Sequence, residues 1–206
     1  MWQKRKILFY QSRKKSRQYK NLDKQLAKKE NKEIIRNDRN KIGQGLLIYM
    51  NRIELIKSIC VDKSVLDVGC AGGGGSPGEE SEKWLHYQIK EVANEVVGID
   101  NDSERVSELR EKGFDILCQN AEDFEVDRDF DVIVAGELIE HLSNPGKFLE
   151  SAKKHLKKDG KLVLTTPNLR SLYLMKEILL GKTRGGHVVG FTEETLRNLL
   201  KRHGGL

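Results

Sequence analysis

The first place in this chain where residue types and spacing could do chemistry is a run of glycines directly after an apolar stretch, in SVLDVGCAGGGGSPG. Asp67 stands two residues before Gly69, and Gly69, Ala71, Gly72 and Gly73 let the backbone turn and come close to a ligand. Ser76, Pro77 and Glu79 then supply a cap, a first-turn proline and an acid three residues on, which is how a helix starts. Its free amides would face whatever the glycines hold, so a nucleotide-like ligand is expected there rather than a plain glycine linker. Asp100 ends the next β-branched run, VVGID, where a carboxylate can accept both hydroxyls of a ribose or, more simply, close a turn before Asn101. A second cluster lies in GELIEHLSNP, where Glu137 would share a helical face with Glu140 and His141. Oxygen and imidazole donors of that kind bind a hard divalent ion or polarise a hydroxyl.

These residues need a scaffold, and the pattern around them supplies one. SVLDVG, EVVGID, FDILC, DVIVA and KLVLTT read as strands, and helical patterns follow most of them. Apolar strands alternating with helices predict an α/β fold, a Rossmann-like doubly wound and mainly parallel sheet with helices on both faces. Leu46, Met50, Ile53 and Ile56 predict an opening helix that runs to about Cys60. Trp84, Leu85, Ile89 and Val92 predict the core face of the helix after the glycines, while His86 in WLHYQ could reach the site but fits the helix surface better. A last helix spans Thr192 to His203, capped by Thr192.

Charge divides the 206 residues in two. Residues 1–41 carry 15 Lys and Arg against 4 Asp and Glu, a net of +11, whereas the whole chain carries +6, so residues 42–206 hold −5. The first 41 residues are therefore expected to form a basic arm, disordered or helical, ahead of one folded domain at 42–206. Such an arm suits RNA or an anionic membrane surface, the latter because Trp2, Ile7, Leu8, Phe9 and Tyr10 alternate with basic clusters. The four apolar residues from Ile7 to Tyr10 are too few for an export signal. Cys60, Cys70 and Cys118 show no CxxC pairing and read as ordinary buried thiols, so a cytoplasmic, reducing setting is the default.

A glycine loop with a strand-end acid fits a dinucleotide or S-adenosylmethionine, and Gly69, Ala71 and Gly74 loosely imitate GxGxxG. Asp67 favours the second, because an acid that close to the glycines suits an ammonium better than a pyrophosphate. With LDVGCAGG, VVGID, QNAEDF, FDVIVAGELIEHLSNP and LKKDGKLVLTTPN in that order, residues 46–203 resemble the class I S-adenosylmethionine-dependent methyltransferases. The nearest likeness is to the branch of ubiquinone O-methyltransferases and glycan-cluster methyltransferases. The resemblance implies S-adenosylmethionine as cofactor and strand order 3-2-1-4-5. It implies that Asp67 with Gly69, Ala71 and Gly73 holds the methionine portion, and that Asp100 holds the ribose with Asn101 beside it. Asn120, Ala121 and Glu122 would line the adenine, and Gly136 would pass beneath the sulfonium.

Two departures from the family pattern stand out. Between Gly73 and Asp100 lie 26 residues, roughly ten more than such a unit needs, so an enlarged loop over the cofactor is expected. Such domains end in two further strands, one antiparallel, whereas this sequence stops at HGGL, so either the chain is truncated or strand five is expected as an open edge. On the acceptor side, the Glu-Glu-His set with His187 in GGHVVGFT resembles the metal constellation of small-RNA terminal 2′-hydroxyl methyltransferases and of some ubiquinone O-methyltransferases. That likeness implies a divalent ion at Glu137, Glu140, His141 and His187, while the same residues without metal would only shape the pocket. His141 or His187, assisted by Glu140, could instead serve as general base for an alcohol. The helix through Leu172, Met175 and Leu179 reads as a lid or as ordinary packing. A hydroxyl of a small metabolite, lipid headgroup or glycan is the expected methyl acceptor. The alternatives are an RNA 2′-hydroxyl, a cofactor-binding module without turnover and, on the loose glycine match alone, a nicotinamide-dependent dehydrogenase.

Overall fold

The computed structural model describes residues 6–12, 52–72, 84–171, 179–181 and 186–203. Along the chain run β1 (Lys6–Ser12), α1 (Arg52–Cys60), β2 (Ser64–Val68), α2 (Leu85–Lys90), β3 (Glu95–Asp100), α3 (Ser103–Glu111) and β4 (Ile116–Cys118). They continue with β5 (Phe130–Gly136), a 3₁₀ turn (Ile139–His141), α4 (Pro145–Lys154), β6 (Leu156–Pro167) and α5 (Glu193–Arg202). The six strands form one sheet in the order β1-β6-β5-β2-β3-β4, and every pairing is parallel. Its last five strands have the anticipated 3-2-1-4-5 arrangement, a Rossmann-like doubly wound sheet.

Burial on both faces explains why those strands read as continuous apolar runs. All five residues of β2 are buried. On β5 the alternation splits the core: Ile133 and Ala135 meet Phe148 and Leu149 of α4 and Leu196 and Leu200 of α5, while Val132 and Val134 pack with Ile56 of α1 and Ile89 of α2. Side-chain caps fix where the helices begin. Asp102 accepts from the Arg105 amide, Asn144 from the Lys147 amide ahead of Pro145, and Thr192 and Thr195 form a reciprocal capping box. Because β3 and β5 leave β2 on opposite sides, the crevice at their carboxyl ends is the topological switch point, where ligands of such sheets bind.

One element corrects the sequence reading. Lys6–Ser12 is neither disordered nor helical but a strand, in parallel register with β6 from Lys6↔Lys161 to Ser12↔Pro167. The run ILFY has the β-propensity to extend, and pairing supplies partners for backbone groups of β6 that would otherwise form an open edge. Strand five is thus covered. The rest of the basic arm at 1–5 and 13–41, Leu46, Met50, the loop with Gly73 and Pro77 expected to be enlarged, and the helix expected through Leu172 and Met175 lie outside the described residues. Among the described residues no helix is long and apolar enough to cross a membrane. The thiols also divide: Cys60 and Cys70 are buried, but Cys118 is exposed.

At the opposite end of the sheet Asp131 ties three strands together. Its Oδ2 accepts from the Ser64 amide at 3.0 Å, the Ser64 hydroxyl at 2.8 Å and the Lys157 ammonium at 3.1 Å. Partial burial pushes the carboxyl pKa up, but the Ser64 bonds and Lys157 outweigh it and bring it from 3.8 down to about 2. A native pKa below the unfolded one means stability that is present above pH 4 and lost as the pH falls towards 2. Asp131→Asn is expected to cost about 1 kcal/mol at pH 7, screened by solvent. Urea unfolding should show that difference shrinking as both proteins are taken to pH 2.

Candidate functional site

At the carboxyl end of β2 the chain turns through Gly69, whose φ of +79° suits glycine alone. A Cβ there would also stand 2.9 Å from Leu138 Cδ1. The Gly69 and Cys70 amides donate to the Ile99 carbonyl at 2.7 and 3.1 Å, which stitches the turn to β3. Next to it, Asp100 is held by two backbone donors: Ala71 N–H reaches Oδ2 at 2.8 Å and Asp102 N–H reaches Oδ1 at 3.1 Å. The carboxylate is therefore fixed between the glycine turn and the start of α3, with lone pairs left for a ligand. Gly69→Ala is expected to lose about 1–3 kcal/mol through the forced positive φ. Thermal unfolding with and without ligand reads both that loss and the distortion of the turn.

Asp67, Gly69, Cys70, Gly72, Ile99, Asp100, Asn101, Gln119, Asn120, Ala121 and Gly136 line one side of a cavity of about 700 Å³. That size suits a nucleoside-bearing cofactor. Ala71 is buried behind the turn and contributes its amide. Glu122 is a correction: its Oε1 accepts from the Asn144 amide at 2.8 Å, supporting the start of α4 instead of facing the cavity. Burial, reinforced by the charge of Asp67, pushes the Cys60 thiol up to about 12, and burial with Asp67 and Asp100 pushes Cys70 up as well. Neither is a thiolate nucleophile.

Arg52, Leu85, Glu137, Leu138, His141 and Leu142 close the other side. At Gly136 a Cβ would lie 2.6 Å from Leu85 Cδ2, so a larger residue would push the leucine tip aside. Glu137 follows with φ +57°, a strained position for a residue with a side chain. Its amide donates to the Thr165 carbonyl and hydroxyl, and its Oε1 lies 3.8 Å from Arg52 Nη1. The predicted helical face is absent because only Ile139–His141 form a 3₁₀ turn, so Glu137 does not stack on Glu140 and His141.

Glu140, His141 and His187 do converge, with one ligand atom of each within 4.8 Å of the others. Glu140 is 2% exposed, and neither carboxylate oxygen makes a well-formed hydrogen bond among the described residues, although the Thr166 hydroxyl acts on it. Burial pushes its carboxyl above the usual range, and the Glu137 charge acts in the same direction. His141 Nδ1 lies 2.7 Å from the Gly186 carbonyl, so Nδ1 carries the proton and Nε2 offers a lone pair. The His187 ring stands edge-on to it, 4.8 Å between centroids. The Val188 and Val189 amides donate to the Glu140 carbonyl and pin the His187 segment to the turn. Two imidazoles, a buried carboxylate and a ring nitrogen anchored by a carbonyl suit a divalent ion.

Arg52, Leu85, Gln119, Leu138 and Leu142 escaped the sequence reading. Leu138 and Leu142 sit inside the GELIEHL motif, whereas Arg52 belongs to no motif and reaches the cleft only because α1 packs across β5. His86 is a further correction, since it is fully buried against Asp67 and not on a helix surface.

A glycine turn, a strand-end acid and a polar shelf at the switch point of a parallel sheet define a Rossmann-like nucleotide-binding protein. The family model for methyltransferase domains matches residues 13–204, and the chain belongs to that family, within the class I S-adenosylmethionine-dependent methyltransferases. Ubiquinone biosynthesis O-methyltransferase of Rickettsia akari is 31% identical over 156 residues, covering 70% of this chain and 60% of that protein. The enzyme of the same name from Nitrobacter winogradskyi is 27% identical over 110 residues, covering 50% of this chain and 38% of the relative. The chain thus spans less than two thirds of the length of these curated relatives, from 38% to 60%. Among solved structures, a putative methyltransferase from Bacillus halodurans superposes with a TM-score of 0.58 at 18% identity, covering 74% of this chain and 66% of its own. YcgJ of Bacillus subtilis gives 0.57 at 20% identity, covering 73% and 66%. At such identities these two speak for the fold.

Proposed function

We propose that this chain binds S-adenosylmethionine in the crevice and transfers its methyl group to a hydroxyl oxygen of a small metabolite, lipid headgroup or glycan. The observation that carries the reading is Asp100, whose two oxygens are each pinned by a backbone amide at the rim of a cavity of suitable size. Gly69 and Gly136 line that cavity without side chains, which supports a close approach of the cofactor to the backbone there. Asp67 faces the cofactor's ammonium, Asp100 its ribose, Asn120 and Ala121 its adenine, and Gly136 the sulfur. When bound, S-adenosylmethionine supplies an electrophilic methyl group on a sulfonium.

The protein's task is then to hold an acceptor oxygen in line with that methyl in a water-poor pocket. Leu138 and Leu142 exclude water, and His141 stands on the acceptor side with its Nε2 lone pair available for the acceptor proton. Glu140, His141 and His187 fit a divalent ion that would lower the acceptor's pKa by coordination. The His141 lone pair serves one of these two roles at a time. The curated relatives named as O-methyltransferases support an oxygen acceptor. The test offers methyl-labelled S-adenosylmethionine with phenols, sugars, lipid headgroup alcohols and matched amines, with and without Mn²⁺. Label on an alcohol is expected, and label on amines alone would contradict the acceptor assignment.

A further inference from the structure

His86 is not part of any cofactor-binding motif, yet it is fully buried directly behind one. Its Nδ1 lies 3.1 Å from Asp67 Oδ2, and Asp67 is itself 2% exposed. An ionised carboxylate only accepts, so the Nδ1 proton points at Asp67. Asp67 makes no other side-chain hydrogen bond among the described residues, and it lines the cavity. The ring is locked from three sides. Trp84 and Phe114 flank it at centroid distances of 5.3 and 5.9 Å, and Trp84 is in turn fixed by its indole N–H on the Cys70 carbonyl at 2.7 Å. The third wall is Gly98, the register partner of Asp67 on β3, where a Cβ would come within 3.1 Å of His86 Cε1. His86 Nε2, meanwhile, has no hydrogen-bond partner among the described residues. Burying a polar nitrogen unpaired is costly, and an apolar side chain would fill the same space without that cost. The bond to Asp67 is what the imidazole adds.

We propose that His86 is a positioning residue for the cofactor site: by holding one oxygen of Asp67 it aims the other at the cofactor's ammonium group. A free Asp on the last turn of a strand samples rotamers, and holding it in one removes that freedom before the ligand arrives. The proposal rests on the reading of Asp67 given under Proposed function. It concerns the amino-acid end of the cofactor alone, so its effect should be blind to any ligand that lacks the amino group.

The experiment compares S-adenosylhomocysteine with its deamino analogue, which keeps the carboxylate, by calorimetry on the full chain. His86→Leu is expected to weaken S-adenosylhomocysteine on the order of tenfold and leave the analogue unchanged. His86→Asn places an amide donor where Nδ1 stood and should restore most of the loss. Asp67→Asn should cost at least as much, and adding His86→Leu to it should cost little more. Equal weakening of both ligands, or of neither, would overturn the proposal. Should wild type bind neither ligand, the cofactor reading itself fails, whereas sensitivity to Asp67→Asn without sensitivity to His86→Leu defeats the positioning role alone. If His86→Leu does not fold, nitrogen NMR of the wild type decides. The Nδ1 proton should be present and shift with S-adenosylhomocysteine but not with the analogue, and a ring protonated only at Nε2 would refute it.

Discussion

Asp100→Ala is expected to weaken S-adenosylhomocysteine binding on the order of 100-fold, from the loss of two charge-assisted hydrogen bonds to ribose hydroxyls. The same change strips the Ala71 and Asp102 amides of their acceptor, so the glycine turn and the first turn of α3 lose a shared anchor. Asp100→Asn separates the two effects. One amide oxygen can still accept from one of the two backbone N–H groups, which keeps half of the anchor, but the charge and half the acceptor capacity are gone. Calorimetry should therefore rank wild type well above Asn and Asn above Ala. Thermal unfolding without ligand should show the Asn protein closer to wild type.

A second large effect is expected at the cluster of Glu140, His141 and His187. Titration of the full chain with Mn²⁺ should show one site, and His187→Ala should weaken it on the order of 100-fold by removing one of three protein ligands. His187 is carried on a segment held to the turn by backbone bonds from Val188 and Val189, so its side chain can be removed without opening the core. S-adenosylhomocysteine affinity should be unchanged, because His187 does not line the cofactor side of the cavity. Unaltered Mn²⁺ binding in the variant would show that the three residues do not act as one cation site. A general-base role for His141 would then be the better account.

How far the sequence foretold this site follows from what kind of signal each residue carried. Asp67, Gly69 and Asp100 were readable because the chemistry is local: a strand ends, a glycine turns, and an acid stands at a fixed offset. The apolar strands were readable because a parallel sheet is buried on both faces and leaves no polar alternation to confuse the pattern. β1 was hidden by its flanking lysines and arginines, which gave ILFY the look of a solvated arm until β6 offered it an edge. His86 and Arg52 were hidden for a different reason, since burial against Asp67 and reach across Gly136 arise only when α1 and α2 pack on the sheet. Glu137 was misplaced by a helical spacing rule, because the chain takes a positive φ and a single 3₁₀ turn there. Glu122 lay in the right loop but is held by the Asn144 amide, and nothing local foretold that partner.

What occupies the crevice at the end of β2 and β3 decides what this protein does. Equilibrium titration of the intact chain with S-adenosylhomocysteine, alongside a nicotinamide dinucleotide, tests this directly. One saturable site for S-adenosylhomocysteine and none for the dinucleotide is the predicted result, and dinucleotide binding without S-adenosylhomocysteine binding would contradict it.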